Sequence, residues 1–244
     1  MLEIFLILTF LFIVGSCSGW VLELLFRRFF SAKKWINPGF LTGPYLPLYG
    51  FGLVSLFAMS RIDFSFITNI YLQKVIVILV MTITVTFIEY IAGLIFIKGL
   101  KTKLWDYSDR KGNIQGIICP LFTFFWAIIC AIYNLFIDPY VLNLANWFKD
   151  NIIYSFFVGI IFGIMIIDLA HSLHLATNIK RLAKQYNIVV LWEKFKATVA
   201  INNENSNEKR HFLFAFKSRQ SLKEHFDYYR NVIKDKILGS KDKK

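Results

Sequence analysis

Residues 75–97 read VIVILVMTITVTFIEYIAGLIFI, an apolar run of 23 residues interrupted by one acidic side chain, Glu89. About 20 apolar residues in an α-helix are enough to cross the ~30 Å hydrocarbon core of a bilayer. A carboxylate inside such a run costs roughly 3 kcal/mol on insertion scales, so it is expected to face protein groups or water rather than lipid. This stretch therefore predicts a membrane-spanning helix with one polar side.

Four further apolar stretches predict an all-α fold, a polytopic membrane bundle of about five transmembrane helices. They run approximately over residues 4–26, 44–60, 114–137 and 152–176. Composition agrees, because 56% hydrophobic residues and 26 Phe in 244 residues lie far above the usage of soluble proteins. We divide the chain into a transmembrane bundle, residues 1–176, and a basic tail, residues 177–244.

Basic residues indicate how the bundle is oriented. Segments 27–43 and 98–113 carry four and five Lys or Arg residues and the tail carries sixteen, whereas the two other loops hold three between them. Lys and Arg accumulate on the cytoplasmic side of membrane proteins. We therefore expect a multi-pass cell-membrane protein with its N-terminus outside and its tail in the cytosol.

The tail reads as two amphipathic helices, over residues 180–200 and 209–238, with a polar break at Asn202 to Glu208. It holds seven acidic residues against sixteen basic ones. Such a tail beside inner-leaflet spans is expected to contact anionic lipid headgroups or an acidic partner. Nucleic acid is the less favoured partner for a segment in this position.

Two further acids lie inside predicted spans, Glu23 in the first and Asp168 in the last. Counting about 1.5 Å of rise per residue from the outer end of each span places both, together with Glu89, in the inner half of the bilayer. Glu23 follows Gly15 and Gly19 at intervals of four residues, a small-residue stripe that admits a close neighbouring helix. We expect these carboxylates to face other helices and a shared polar site.

The acids also have purely structural interpretations. Glu23 could pair with Arg27, four residues later and near the membrane boundary. Asp168 could form a buried hydrogen-bonded pair with His171 that only fixes helix packing. A metal site is not expected, because His174 lies six residues from Asp168 and the two positions diverge by about 120° on a helix.

The least helical part of the bundle lies on the same predicted inner side, in the segment NPGFLTGPYLPLYG at 37–50. Its prolines remove backbone donors and its glycines permit conformations that expose backbone, which at membrane depth is tolerated only inside protein or beside water. An interrupted helix start here can present free N–H groups to an anion. The alternative is an ordinary tight loop before a helix that begins at proline.

Several segments resemble the bacterial family called putative ABC-transporter type IV permeases, over about residues 12–172. They are GWVLE at 19–23, GFLTGP at 39–44, PLYGFG at 47–52, EY at 89–90, WDYS at 105–108 and NIxG at 113–116. The resemblance implies a permease subunit of an ABC-type transporter that relies on a separate ATP-hydrolysing subunit. Two positions depart from the family pattern: Ile97 replaces an acid and Ile117 replaces a basic residue.

The candidates for the polar site combine these acids with the loop residues. They are Glu23, Gly39, Gly43, Pro44, Pro47, Tyr49, Glu89, Tyr90, Trp105, Asp106, Tyr107, Asn113, Asp168 and His171. The sequence contains no phosphate-binding loop and no recognised catalytic arrangement, so we expect no cofactor and assign no catalytic residue.

Two other classes of function stay open. One is an intramembrane enzyme that acts on a lipid-linked substrate, with Glu89 or Asp106 as acid or base at the inner leaflet. The other is a non-transporting membrane scaffold whose tail recruits partners. A second copy of the chain is also a candidate partner.

Overall fold

The computed structural model describes residues 1–30, 33, 35, 37–185, 188–205 and 220–241, with the side chains of 204, 205 and 234–241 excepted. The described chain is helical almost throughout, as predicted. The helices are α1 (Leu2–Phe29), α2 (Pro47–Met59), α3 (Ile70–Leu94), α4 (Pro120–Ile132), α5 (Asp138–Asp150), α6 (Ser155–Gln185), α7 (Trp192–Asn205) and α8 (Leu222–Lys241). A π-helical turn, Ile95–Gly99, extends α3, and another, Tyr133–Ile137, joins α4 to α5.

Four continuous helical segments of the described chain are long and apolar enough to cross a membrane. They are Leu2–Phe29, Ile70–Gly99, Pro120–Asp150 and Ile152–Gln185. The predicted span at 44–60 is shorter in the structure, because helix α2 has 13 residues and begins only at Pro47. At ~1.5 Å per residue its length is about 20 Å, less than the hydrocarbon core.

Small residues allow α1 and α2 to pack closely, as the glycine stripe predicted. A Cβ atom added to Gly50 would lie 2.6 Å from the Phe12 carbonyl oxygen, and one added to Gly19 would collide with the Tyr49 side chain. The similar pair on α6, Gly159 and Gly163, has no atom within 4 Å of an added Cβ. Of these two small-residue patterns, the one on α1 makes a helix contact within the described residues, and the one on α6 does not.

The outer surface of the bundle is apolar. Ile83, Phe87 and Ile167, for example, are 68%, 61% and 71% exposed on α3 and α6. Large apolar side chains in such numbers on long helices are suited to lipid rather than to water. This surface, together with the helix lengths, supports a membrane location.

The tail packs against the bundle and shares its core. Phe195 of α7 and Phe226 of α8 belong to the same buried cluster as Ile13 of α1 and Phe40 of the loop before α2. Helix α6 itself continues past residue 176 to Gln185. The tail is therefore anchored by apolar contacts as well as by the chain connection.

Two predicted features of the tail are wrong in their bounds. The helix expected over 180–200 is interrupted, because residues 190–191 form a short strand, β2, that pairs in parallel with β1 (Thr102–Lys103) before α7 begins. The run Ile188, Val189, Val190 is β-branched, which favours extended backbone. The break predicted over Asn202 to Glu208 starts too early, since α7 continues to Asn205; residues 206–208 lie outside the described residues. The second tail helix, predicted from residue 209, is observed from Leu222, and residues 209–219 lie outside the described residues.

Candidate functional site

The three membrane carboxylates lie at one end of the bundle, which we call the tail end. This end is formed by the loop 37–46, the loop 100–119 and helix α7, which contact one another and α6. Asp168 contacts the first loop, Glu89 contacts the second, and Glu23 is linked to α7. None of the three points away from its neighbours into the apolar surface.

Glu89 is held by two neutral donors. Its side chain lies on α3 and the residue is 4% exposed. Trp126 Nε1 of α4 donates to Glu89 Oε2 at 2.9 Å, and Tyr107 Oη donates to Oε1 at 3.3 Å. Among the described residues no Lys, Arg or His lies within ion-pair distance of this carboxylate.

A folded hairpin-like loop places Tyr107 over Glu89. Gly116 adopts a positive φ of 69°, and a Cβ there would lie 2.8 Å from Asp106 Oδ1, so the turn requires glycine. Asn113 Oδ1 accepts the Gly116 N–H at 3.0 Å, and Trp105 Nε1 donates to the Ile117 carbonyl oxygen at 2.8 Å. These contacts explain why this polar loop has a defined shape.

The side chains of Tyr107 and Asp106, both in the loop 100–119, have shifted pKa values. The Tyr107 ring stacks on Phe122 with centroids 4.1 Å apart, and its pKa is raised by burial and by the adjacent charge of Glu89. Partial burial opposes the shift at Asp106, but hydrogen bonds from Ser108 and Lys103 lower the pKa of its carboxyl. Asp106 therefore carries a negative charge with its own cation beside it.

Glu23 sits in a chain of polar contacts that reaches the tail. Tyr49 Oη donates to Glu23 Oε2 at 2.8 Å, and Arg27 Nε donates to Oε1 at 3.0 Å. The same guanidinium pairs with Glu193 of α7. The local pair with Arg27, expected as a structural interpretation, is present, and it is part of a longer link between α1, α2 and α7.

Aromatic rings bring the Glu23 and Glu89 groups together. The rings of Tyr49 and Trp126, which donate to the two carboxylates, have centroids 6.1 Å apart. The two acids therefore belong to one connected polar and aromatic cluster, which we call the glutamate cluster: Glu23, Tyr49, Glu89, Tyr107 and Trp126.

Asp168 is bound by the loop before α2. Its carboxylate accepts the backbone N–H groups of Thr42 at 3.0 Å and Gly43 at 2.8 Å, and the Tyr45 hydroxyl at 2.7 Å. Burial and the Asp168 charge raise the pKa of Tyr45, which keeps this hydroxyl a donor. The N–H groups that the sequence suggested for an anion are therefore occupied by a carboxylate of the same chain.

The same loop is held from its other side by the tail. Lys196 of α7 is 7% exposed, and its Nζ donates to the carbonyl oxygens of Gly39 at 2.7 Å and Asn37 at 3.1 Å. Burial, assisted by the charge of Arg27, lowers the pKa of Lys196 to about 8. Asn37 also accepts from Trp20 Nε1 at 2.9 Å, so side chains from α1 and α7 meet on this loop.

Several candidate residues lie apart from these contacts. The expected pair of Asp168 with His171 is wrong: His171 is exposed on α6, and Asp168 accepts from Ser172 instead. Pro44 is exposed, and Pro47 begins α2. Tyr90 is half-buried on α3 and has no side-chain hydrogen bond within the described chain.

The two loop glycines among the candidates serve the site without a positive φ. Within the described chain, positive φ values at glycine occur at Gly112 and Gly116, and not at Gly39 or Gly43. Gly43 is needed for space, because a Cβ there would collide with the Tyr45 ring. Gly39 contributes its carbonyl oxygen to Lys196.

Several residues of the site were not among the candidates from the sequence; they include Tyr45, Trp126, Lys196 and Asn37. Trp126 carried a usable signal, because an indole N–H inside an apolar span requires an acceptor. Nothing in the sequence indicated Lys196 and Asn37, because their contact joins positions that are far apart in the chain. Over the residues that the structure describes, no group of three His, Cys, Asp or Glu side chains is arranged to hold a metal ion.

Long apolar helices, a lipid-compatible surface and inward carboxylates at one end define an α-helical membrane protein with a buried polar site. A family profile described as "Putative ABC-transporter type IV" matches residues 10–173, and the chain belongs to that family. The match covers two thirds of the chain, contains all the candidate residues and ends before α7. Comparison with curated proteins and with solved structures gave no match.

Proposed function

We propose that this chain is the membrane-embedded permease subunit of an ABC-type transporter, with its polar site in the tail-end half of the bundle. In this proposal the tail end faces the cytosol, the tail acts as a separate functional unit from residue 177, and ATP is hydrolysed by another subunit. The observation that carries the proposal is the burial of Glu89 among neutral donors.

Burial without a cation is costly for a carboxylate. Removing a charge from water costs several kcal/mol unless a partner or good hydrogen bonds compensate it. Glu89 has Trp126 and Tyr107 as partners but no basic residue in the described chain. Acidic groups kept inside membrane spans commonly mark substrate, ion or proton pathways. We assign Glu89 the role of contacting the transported species, or a proton that moves with it.

The link from the glutamate cluster to the tail supports control by a cytosolic partner. Arg27 joins Glu23 to Glu193 on α7, and Lys196 on the same helix holds the loop that binds Asp168. A movement of α7 would therefore displace Arg27, which contacts Glu23, and the loop before α2, which contacts Asp168. This is the connection that a transport subunit without its own nucleotide site requires.

Exposed basic residues near the cluster offer a surface for the ATPase. Arg110 and Lys111 are exposed in the loop that carries Tyr107, and Lys194 is exposed on α7. We propose that this surface docks the ATP-hydrolysing subunit, while the remaining basic residues of the tail contact anionic headgroups of the inner leaflet. The exposed glycine face of α6 leaves room for a second copy of the chain.

The test is co-purification of the full-length tagged chain in mild detergent, followed by mass spectrometry. We expect an ATP-hydrolysing subunit in the wild-type sample and at least tenfold less of it with Arg110→Glu and Lys111→Glu combined. The matched control combines Lys74→Glu and Lys149→Glu, two exposed lysines at the opposite end, and should retain the subunit. Absence of any ATPase from the wild-type sample would contradict the proposal.

A further inference from the structure

A cleft opens at the end of the bundle opposite the glutamate cluster. It has a volume of about 220 Å³ and lies between the end of α2, the loop 60–69, the first turns of α3 and the π-helical turn after α4. Its walls combine apolar side chains, including Phe64, Ile70 and Val77, with the polar side chains of Gln73, Lys74 and Asn134. It shares no residue with the site described above.

Three of the four polar side chains that line this cleft, Gln73, Lys74 and Asn134, have no side-chain partner within the described chain, whereas Ser60 does. Lys74 forms no ion pair there, and the side-chain amides of Gln73 and Asn134 form no hydrogen bond. Nearby polar groups are satisfied: Asp138 accepts from Ser60 at 2.7 Å and pairs with Arg61 at 2.5 Å. The polar side chains of Gln73, Lys74 and Asn134, which have no partner in this part of the described chain, therefore all line the same cleft.

The position of Asn134 depends on an irregular segment. Asn134 lies in the π-helical turn Tyr133–Ile137, and Tyr133 within that turn donates to Asp138 Oδ1 at 3.2 Å. A π turn inserts one residue into the helix and is frequent at functional sites. Here it places an amide on the cleft wall opposite the α3 residues.

The charge balance selects an anion. Asp138 is neutralised by Arg61, and Lys74 is the one charged side chain among the described residues that line the cleft. The carboxylate of Asp63, on the loop between the lining residues Ile62 and Phe64, accepts the Ser65 N–H at 2.8 Å. An ammonium with two amides supplies several N–H donors to one oxyanion. The volume is below the roughly 300 Å³ at which drug-sized pockets begin, so it fits one headgroup or a short chain rather than a large solute.

We propose that this cleft binds a single oxyanion, a carboxylate or phosphate ester, that carries a short apolar portion. Lys74 pairs with the oxyanion, Gln73 and Asn134 donate hydrogen bonds to it, and Phe64, Ile70 and Val77 cover the apolar portion. The group reaches the cleft either as the headgroup of a membrane lipid or as part of a free amphipathic acid.

The experiment uses the full-length protein in neutral detergent and two probes. Dihexanoyl phosphatidylglycerol is measured by native mass spectrometry against dihexanoyl phosphatidylcholine, and hexanoate is measured by equilibrium dialysis. The variants are Lys74→Gln and Asn134→Leu, and the control is Lys149→Gln, an exposed lysine at the same end of the bundle.

The proposal requires that at least one anionic probe binds to the wild type. Binding should be about tenfold weaker in Lys74→Gln, because one charge-assisted contact is lost. Binding should be unchanged in Lys149→Gln. Binding of the lipid alone identifies a headgroup site, and binding of hexanoate identifies a site for free acids. Equal binding by the wild type and Lys74→Gln, or no binding of either probe to the wild type, overturns the proposal.

Discussion

The ammonium of Lys196 donates a hydrogen bond to the carbonyl oxygen of Gly39 over 2.7 Å, which joins the tail to the loop before α2. That loop binds Asp168 through its backbone N–H groups. One lysine of the tail thus supports the backbone that holds a carboxylate of the bundle.

Replacing Lys196 by Met should destabilise the protein. The side chain keeps a similar length, but the carbonyl oxygens of Asn37 and Gly39 lose their donor, at a cost of about 1–3 kcal/mol. The measurement is the apparent melting temperature in detergent. The control is Lys194→Met, whose side chain is exposed on the same helix. An equal response from the two variants would show that the contact contributes nothing.

The stability that Lys196 contributes should depend on pH. Its pKa is about 8 in the folded protein and 10.5 for a lysine side chain in water, so the unfolded chain binds more protons between these values. Stability of the wild type relative to Lys196→Met should therefore rise as the pH increases from about 8 towards 10.5. Melting curves at several pH values in this range test the sign, and a difference that falls with pH would contradict it.

Asp168→Asn should weaken the attachment of the loop to α6. The amide presents N–H groups towards the donors of Thr42 and Gly43, so at least one charge-assisted hydrogen bond is lost, about 1.5–3 kcal/mol. A lower melting temperature is expected. Asp109→Asn is the control, because the Asp109 side chain is 75% exposed. The account fails here if both substitutions leave the melting temperature unchanged.

The close approach of α1 and α2 can be tested with two glycines of α2. Gly50→Ala should destabilise by about 1–3 kcal/mol, because the new methyl group would lie 2.6 Å from the Phe12 carbonyl oxygen. Gly52→Ala has open space around its Cβ and should be neutral or slightly stabilising, since alanine is the better helix former. The comparison is again by thermal melting, and a reversed order would contradict the observed packing.

Apolar periodicity was sufficient to predict the long membrane helices and the close α1 contact, because both depend on local sequence. It was not sufficient for α2. There the apolar run from Pro44 continues to residue 60, but the helix begins only at Pro47 and the residues before it form the loop that binds Asp168. Hydropathy cannot distinguish a buried loop from a helix turn.

The partners of the acids were harder to predict than the end of the bundle that the acids share. The end of the bundle at which Glu23, Glu89 and Asp168 lie followed from the positions of basic residues and from helical rise. Their contacts did not, since Asp168 is bound by loop residues more than 120 positions away. His171 was a reasonable partner by spacing, yet it is on an exposed face of α6.

The sequence did not predict that the tail packs into the core of the bundle, because the composition of the tail is basic and polar. Lys196, Phe195 and Phe226 are buried between the tail and the loop before α2 or within the shared core. Deleting residues 177–244 would therefore uncover Phe40 and Ile13 as well as remove a docking segment. A tail deletion alone therefore cannot separate a scaffold function from loss of folding.

The most direct test of coupling between the glutamate cluster and a separate ATPase is the ATP hydrolysis rate of the complex purified through the tagged full-length chain. We predict that Glu89→Gln leaves complex yield and melting temperature close to those of the wild type. The amide oxygen can still accept from Trp126, the Tyr107 hydroxyl can rotate to accept from the amide N–H, and the site loses an uncompensated charge. We predict at the same time that the hydrolysis rate per ATPase subunit changes by at least threefold. An unchanged rate in a well-folded Glu89→Gln complex would contradict the central role given to this carboxylate.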